Sequence, residues 1–229
     1  MINMMSYAIF GCGTLARLAY YYIYNEMGLK VDCFVIDKLN SDFNHKSFLF
    51  DVPIISWDNF INKYKAVDIK IHIALAYKNM RNKKDVFERI QGSGYELFNI
   101  VSNSAFISED SIKGKNNFIM PNVVIEPYAE IGSNNIIWSN STICHNTIIG
   151  NHNFLASNVT IGGKTNIGDL CFLGFSSTVS DHLKIENEVL IAANSFLNEN
   201  VKSLCRVQGL PAKLHSKINK DQGIIFNNC

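Results

Sequence analysis

From Ile119 to Leu197 an aliphatic residue falls on every sixth position without interruption: Ile119, Ile125, Ile131, Ile137, Ile143, Ile149, Leu155, Ile161, Ile167, Leu173, Val179, Ile185, Ile191 and Leu197. Such a period matches neither the pitch of an α-helix nor the simple alternation of a strand. It is the hexapeptide repeat of a parallel β-helix, each hexad being one short strand and a turn. The second place in the hexad is often small, as in Gly132, Gly150, Ala156, Gly162, Gly168, Gly174 and Ala192. The fifth is small or β-branched: Val123, Ala129, Ser141, Thr147, Val159, Thr165, Cys171, Ser177 and Ser195. Small residues there let three flat faces meet at sharp corners, and the abundant asparagine tolerates the left-handed backbone that corners demand. Three hexads make one triangular coil, and about five coils stack at the strand spacing of about 4.8 Å. The register extends back to Ile107, with a break at Lys113. Val207–Lys213 ends the repeat, and a short helix is expected in the tail beyond it, since the open end of a coil stack needs a cap.

Residues 5–100 follow a different grammar. Tyr7–Phe10 reads as a buried strand, Gly11-Cys-Gly-Thr-Leu-Ala16 as a tight turn, and Leu15–Glu26 as an apolar helix. Strands over Val31–Ile36, Val52–Ile55 and Asp68–Ala74 alternate with helices over Trp57–Tyr64 and Lys78–Ile90. This order predicts a small Rossmann-like sheet, about half of a full dinucleotide fold. The fold class is therefore an α/β Rossmann-like domain over residues 1–104, followed by a β-helix domain with a short tail over residues 105–229.

A net charge of +1, with no basic stripe, argues against nucleic-acid binding. Six cysteines without a CxxC pair (Cys12, Cys33, Cys144, Cys171, Cys205 and Cys229) read as free thiols in a reducing compartment. The apolar stretch Tyr7–Tyr24 is broken by Gly11, Gly13 and Arg17, so no membrane insertion is expected. With no signal-peptide pattern, the expectation is a soluble, cytoplasmic protein.

Among chemistry-bearing residues, His145 stands at the third place of its hexad, an outward corner. One coil further on lies Gly163, which should stack over it about one strand spacing away. A histidine beside a bare glycine step leaves room for a thread-like ligand and could act as a general base; it could equally be a polar corner residue. Asn146 could orient the ring, without adding charge, or be a turn asparagine. Gly11, Gly13, Thr14 and Leu15 form a GxGxxA turn between strand and helix, and Asp37 closes the next strand. Such a turn suits a phosphate and such an acid a ribose hydroxyl, although a ligand-free turn has the same pattern. Lys78 and Arg81 follow the third strand and would meet a diphosphate or simply begin a solvated helix. His72 lies on an apolar strand and reads as structural. His152 and His182 raise a metal reading, but the chain lacks the HxxxxH pair of hexapeptide zinc enzymes, and no metal is expected.

The glycine turn, the Asp37 strand end, Ile119-Met-Pro-Asn-Val-Val-Ile-Glu126, the His145-Asn146 hexad, Ile161-Gly-Gly163, Phe172-Leu-Gly174 and Gly209-Leu-Pro-Ala-Lys213 together carry a resemblance. Over almost its full length the chain resembles bacterial sugar O/N-acyltransferases of the sialic acid O-acetyltransferase and bacillosamine-pathway N-acetyltransferase type. The resemblance implies a left-handed β-helix, a homotrimer, acetyl-CoA as co-substrate and a nucleotide-linked sugar as acceptor. It implies His145 as general base and acetyl-CoA contacts at Gly162, Gly163, Phe154, Phe175 and Ala193. Three departures stand out: Asn146 replaces the usual acid, Thr14-Leu15-Ala16 replaces the small-His-Gly end of the glycine turn, and Phe154 stands where a histidine is common. The implied reaction is direct N-acetylation of an amino-deoxysugar such as a 4-amino-4,6-dideoxy sugar, with backbone N–H groups near Gly162–Gly163 steadying the oxyanion. An amine suits a base without a carboxylate partner better than a hydroxyl does. O-acetylation of a sugar such as sialic acid, another acyl donor and a non-catalytic scaffold are the alternatives.

Overall fold

The computed structural model describes residues 5–39 and 47–226; of the cysteines, Cys229 lies outside them. The chain divides into two compact units, Met1–Leu75 with Asp85–Ile100, and Ala76–Lys84 with Val101–Cys229. The sequence-based boundary at residue 104 therefore becomes a break near residue 100, and residues 76–84 belong with the second unit.

The first unit is a six-stranded sheet in the order β3-β4-β2-β1-β5-β6. Its strands are β1 (Ser6–Phe10), β2 (Val31–Ile36), β3 (Phe48–Leu49), β4 (Val52–Ser56), β5 (Ile69–Ile73) and β6 (Glu96–Leu97). All pairings are parallel except β3 against β4. After β1 the chain runs outward to β2 and β4, then returns to place β5 on the other side of β1. That reversal makes the carboxyl ends of β1 and β5 the switch point of the sheet, the place where such sheets bind their ligands. Helix α1 covers Thr14–Tyr21 and continues as a π-helix over Tyr22–Glu26, so the expected single α-helix changes its pitch in mid-course. Leu15, Ala16, Ala19 and Ile23 form its buried stripe. Helix α2 (Trp57–Lys63) starts where Ser56 Oγ accepts the Asn59 N–H at 3.3 Å, satisfying one orphan donor of the first turn. Helix α3 spans Met80–Gly92. The core gathers Ala8, Phe10, Cys33, Val35, Phe60, Ile69, Ile71 and Ile73.

The second unit is the expected β-helix. Its first face stacks Phe106–Ile107, Val124–Ile125, Thr142–Ile143, Thr160–Ile161, Thr178–Val179 and Phe196–Leu197 in parallel register. The second stacks Glu130–Ile131, Ile148–Ile149, Asn166–Ile167 and Lys184–Ile185. The third runs through Phe118–Ile119, Ile136–Ile137, Phe154–Leu155, Phe172–Leu173 and Leu190–Ile191. The second residue of each strand points inward, and these aliphatics fill one continuous core. Corners follow the same period: Asn116, Asn122, Tyr128, Asn134, Asn140, Asn146, His152 and their successors to Asn194 all have φ between about 55° and 65°. An asparagine ladder ties one corner column together, with Asn135 N–H donating to Asn117 Oδ1 and Asn153 N–H to Asn135 Oδ1, each at 2.9 Å.

The prism ends in an antiparallel hairpin, Cys205–Gly209 with Ala212–Lys217, not in a helix. The first hairpin strand continues the third face by pairing with Leu190 and Ile191, so backbone hydrogen bonds cap the stack directly. Residues of the 76–84 segment and the tail also lie on that face. Phe154 and Phe172 stack at 5.3 Å, Tyr77 meets Phe154 at 4.4 Å, and Phe226 meets Phe172 at 4.6 Å.

Candidate functional site

The His145 corner follows directly from the repeat. Ile143 pairs in register with Ile161, so the residues after each strand end stack one above the other. His145 C=O accepts the Lys164 N–H at 2.9 Å, which locks the two corners together. The imidazole lies against Gly163: a Cβ built there would fall 2.8 Å from its Cε1 and 2.9 Å from its Nε2. Only glycine leaves the ring its place. His145 and Asn146 are both exposed, and Asn146 holds φ at 58°. Asn146 Oδ1 accepts from His145 Nδ1–H at 3.0 Å, an arrangement that leaves Nε2, beside the glycine step, as the nitrogen with the free lone pair. The backbone N–H of His145 donates to Glu126 Oε2 at 2.8 Å. Neighbouring Cys144 is no rival nucleophile: burial, and secondarily the charge of Glu126, push its thiol upward and keep it protonated.

Gly162 and Gly163 differ in what they offer. Gly162 N–H donates to Val179 O at 2.8 Å and its carbonyl accepts from Thr147 Oγ1 at 3.0 Å, so its N–H is already engaged. Gly163 N–H has no acceptor among the described residues. Phe175 is exposed and Ala193 stands one coil above it, but both sit at the corner after the third face. His145 sits at the corner after the first face. Within one protomer these residues therefore line two different edges of the prism, separated by the whole first face. Phe154 lies on neither edge. It is 2 % exposed beneath Tyr77 and against Phe172, and its ring serves packing in this chain instead of presenting a surface to a ligand.

Residues 114–145 and 128–163 match the bacterial transferase hexapeptide (six repeats) family. Both matched stretches lie within the prism. The solved acetyltransferase domain of PglB from Neisseria gonorrhoeae superposes with a TM-score of 0.80 at 18 % identity, covering 92 % of this chain and 99 % of that one. PerB from Caulobacter crescentus, solved with CoA and GDP-perosamine, gives 0.79 at 20 % identity over 93 % and 98 % of the two chains. WeeI from Acinetobacter baumannii gives 0.64 at 16 % identity over 93 % and 100 %. These likenesses establish the shared two-part fold, a small α/β unit followed by a hexapeptide prism. Among the described residues no helix is long and apolar enough to cross a membrane.

In the α/β unit, the glycine turn stands at the carboxyl end of β1. Gly11 has φ +119°, and a Cβ on it would fall 2.9 Å from Ala74 O, so glycine is required on both counts. Gly13 caps α1 in extended conformation with no side-chain cap bond, and Thr14 beside it is exposed. Leu15 is 7 % exposed and belongs to the helix core, so only its backbone can serve a ligand. Asp37, at the end of β2, is exposed and paired with the Arg89 guanidinium. Arg89 also lies over the rings of Phe10 and Trp57, at 5.5 and 5.6 Å. His72 is buried, with Nδ1 3.0 Å from Phe98 O, as a structural histidine would be.

Lys78 and Arg81 cluster with the hexapeptide unit. Arg81 grips Glu188 with both ends of its fork, at 2.8 and 2.9 Å, and Lys78 O accepts the Phe226 N–H at 3.0 Å. Nearby, Lys83 is almost wholly buried, its Nζ 3.4 Å from His152 O and 3.3 Å from Asn153 O. Burial lowers its amine to about 7. His152 is lowered to about 4, by burial first and by Lys83 second. Its ring touches Asn134 Nδ2 at 2.9 Å, so this histidine belongs to a buried polar cluster.

Two residues of consequence escaped the sequence reading. Arg89 looked like one more charge on the solvated face of an amphipathic helix. Glu126 sits one coil before Cys144, and that 18-residue offset was the signal that could have found it.

Proposed function

We propose that the chain is an acetyl-CoA-dependent N-acetyltransferase acting on a nucleotide-linked amino-deoxysugar. The observation that carries this is the imidazole of His145, held by Asn146 with its Nε2 beside a glycine step where a side chain would collide with it. The PglB domain solved with acetyl-CoA and PerB solved with CoA and GDP-perosamine support the same reading by their fold.

In this account His145 is the general base. The amine nitrogen of the sugar attacks the thioester carbonyl carbon, the C–S bond breaks, and the amine proton passes to Nε2 and then to the sulfur of CoA. No acyl-enzyme forms, in keeping with the protonated state of Cys144. Gly163 N–H is the donor available to the developing oxyanion, since that of Gly162 is taken by Val179. Holding both substrates in line supplies much of the acceleration.

The protein acts as a homotrimer in this proposal. Phe175 and Ala193 stand on a different prism edge from His145 and Gly163, so an acetyl-CoA arm touching both sets needs two protomers. In the α/β unit, the Gly11–Leu15 turn would take the diphosphate and Asp37 the ribose. The cytoplasm, where acetyl-CoA and sugar nucleotides are found, is the proposed location.

The test is thiol release from acetyl-CoA with a panel of acceptors: GDP-perosamine, UDP- and dTDP-linked 4-amino-4,6-dideoxyglucose, and free sialic acid. The proposal expects turnover with one of the amino sugars and an amide in the product. Turnover confined to sialic acid would make the enzyme an O-acetyltransferase, and none with any acceptor would favour a scaffold.

A further inference from the structure

We propose that Glu126 recognises the amino group of the acceptor, so that the hexapeptide corner itself selects an amine over a hydroxyl. The inference rests on the reading of His145 as the base of an N-acetyltransferase.

Glu126 follows the strand Val124–Ile125, one coil before the strand that leads into His145. Its Oε2 accepts the His145 N–H at 2.8 Å, which fixes the carboxylate beside the residue that takes the proton. Its other oxygen, Oε1, has no hydrogen-bond partner among the described residues. Several carboxylates of this unit carry a cation, Glu186 with Lys202, Glu188 with Arg81 and Glu199 with Lys213, while Asp169 accepts the Asn151 N–H instead. Glu126 has no such cation among the described residues.

A carboxylate left without a cation at an open corner is complementary to a charged amine and indifferent to a neutral hydroxyl. At neutral pH a sugar amine arrives largely as the ammonium. Glu126 Oε1 would draw it to the corner; the ammonium gives one proton to solvent before attack, and His145 Nε2 takes the second as the C–N bond forms and passes it to the sulfur of CoA. One group selects and the other deprotonates, which compensates for an asparagine at position 146. A hydrogen bond to a charged group corresponds to roughly a tenfold to hundredfold preference.

The test is calorimetric binding of GDP-perosamine, and of UDP- and dTDP-linked 4-amino-4,6-dideoxyglucose, each against its 4-hydroxy counterpart, to wild type, Glu126→Gln and Glu126→Ala. Glutamine keeps an oxygen for the His145 N–H and removes only the charge. The expected result is tighter binding of one amine by wild type, about tenfold or more, and loss of that preference in Glu126→Gln with melting temperature and acetyl-CoA KM unchanged. A preference that survives in Glu126→Gln, or a wild type that does not distinguish amine from hydroxyl, overturns the proposal. Damage confined to Glu126→Ala reduces the residue to a corner brace and also overturns it. Turnover of the same compounds separately judges the acetyltransferase reading, because binding preference and catalysis are read in different measurements.

Discussion

Replacing Gly163 with alanine tests the geometry of the base at a single carbon atom. The added Cβ would stand 2.8 Å from His145 Cε1 and 2.9 Å from Nε2. Carbon atoms settle at about 3.5 Å or more, so the ring must retreat by roughly 0.7 Å. The ring can move, because His145 is exposed, but it then leaves the 3.0 Å contact with Asn146 Oδ1. A misplacement on the order of 1 Å at a reacting group costs about 100-fold in rate. Gly163→Ala should therefore lower kcat in the thiol-release assay by about tenfold to 100-fold. Gly163 is buried and the Cβ also falls 3.1 Å from His145 O, so a stability loss of about 1 kcal/mol, roughly two to four degrees in melting temperature at about this chain length, should accompany it. If the alanine acts only through the ring, adding it to His145→Ala should cost nothing further. A wild-type kcat in Gly163→Ala would refute the placement of the ring, and full additivity in the double variant would refute the route.

Stability should carry the signature of the buried Lys83 and His152. Lys83 falls from 10.5 to about 7 and His152 from 6.5 to about 4 on folding, so in each window the unfolded chain binds more protons. Stability should therefore rise with pH from about 7 towards 10.5 through Lys83, and fall as pH drops from about 6.5 to 4 through His152. In urea melts across pH, Lys83→Met should flatten the upper slope relative to wild type, and an unchanged slope would remove Lys83 from the account. Asp37→Ala should raise the KM for the nucleotide sugar by about tenfold, the loss of one charged hydrogen bond, and leave that for acetyl-CoA alone. Equal KM values would confine Asp37 to its ion pair with Arg89. Sedimentation equilibrium should give three times the mass of one chain, and a monomer retaining activity would rule out a site shared between protomers.

The prism was legible because its core repeats with a fixed period, and each inward aliphatic from Ile119 to Leu197 is buried as that period requires. Stacking of Gly163 on His145 followed from the same arithmetic. The left-handed corner was only partly visible: asparagine marks it at residues 116, 122, 134, 140, 146, 158 and 194, but Tyr128, Lys164 and Leu170 hold the same backbone. Tertiary packing overrides residue preference there. The sequence pattern of α3 does not reveal that its first residues, to Lys84, cluster with the prism while those from Asp85 cluster with the sheet. The terminal hairpin was missed for a related reason: Cys205–Gly209 becomes a strand through its pairing with Leu190 and Ile191 on one side and Ala212–Lys217 on the other, and no local pattern announces either. Asp37 was visible as a strand-ending acid, but its partner Arg89 lies 52 residues on, on a different element.

The most direct measurement is the rate of acetyl transfer by His145→Ala and His145→Gln beside wild type, with acetyl-CoA and the accepted amino sugar both saturating. General-base catalysis is worth about 100-fold to 10,000-fold, and the account predicts a loss of kcat in that range with the melting curve unchanged. A rate within a few-fold of wild type in either variant would contradict it.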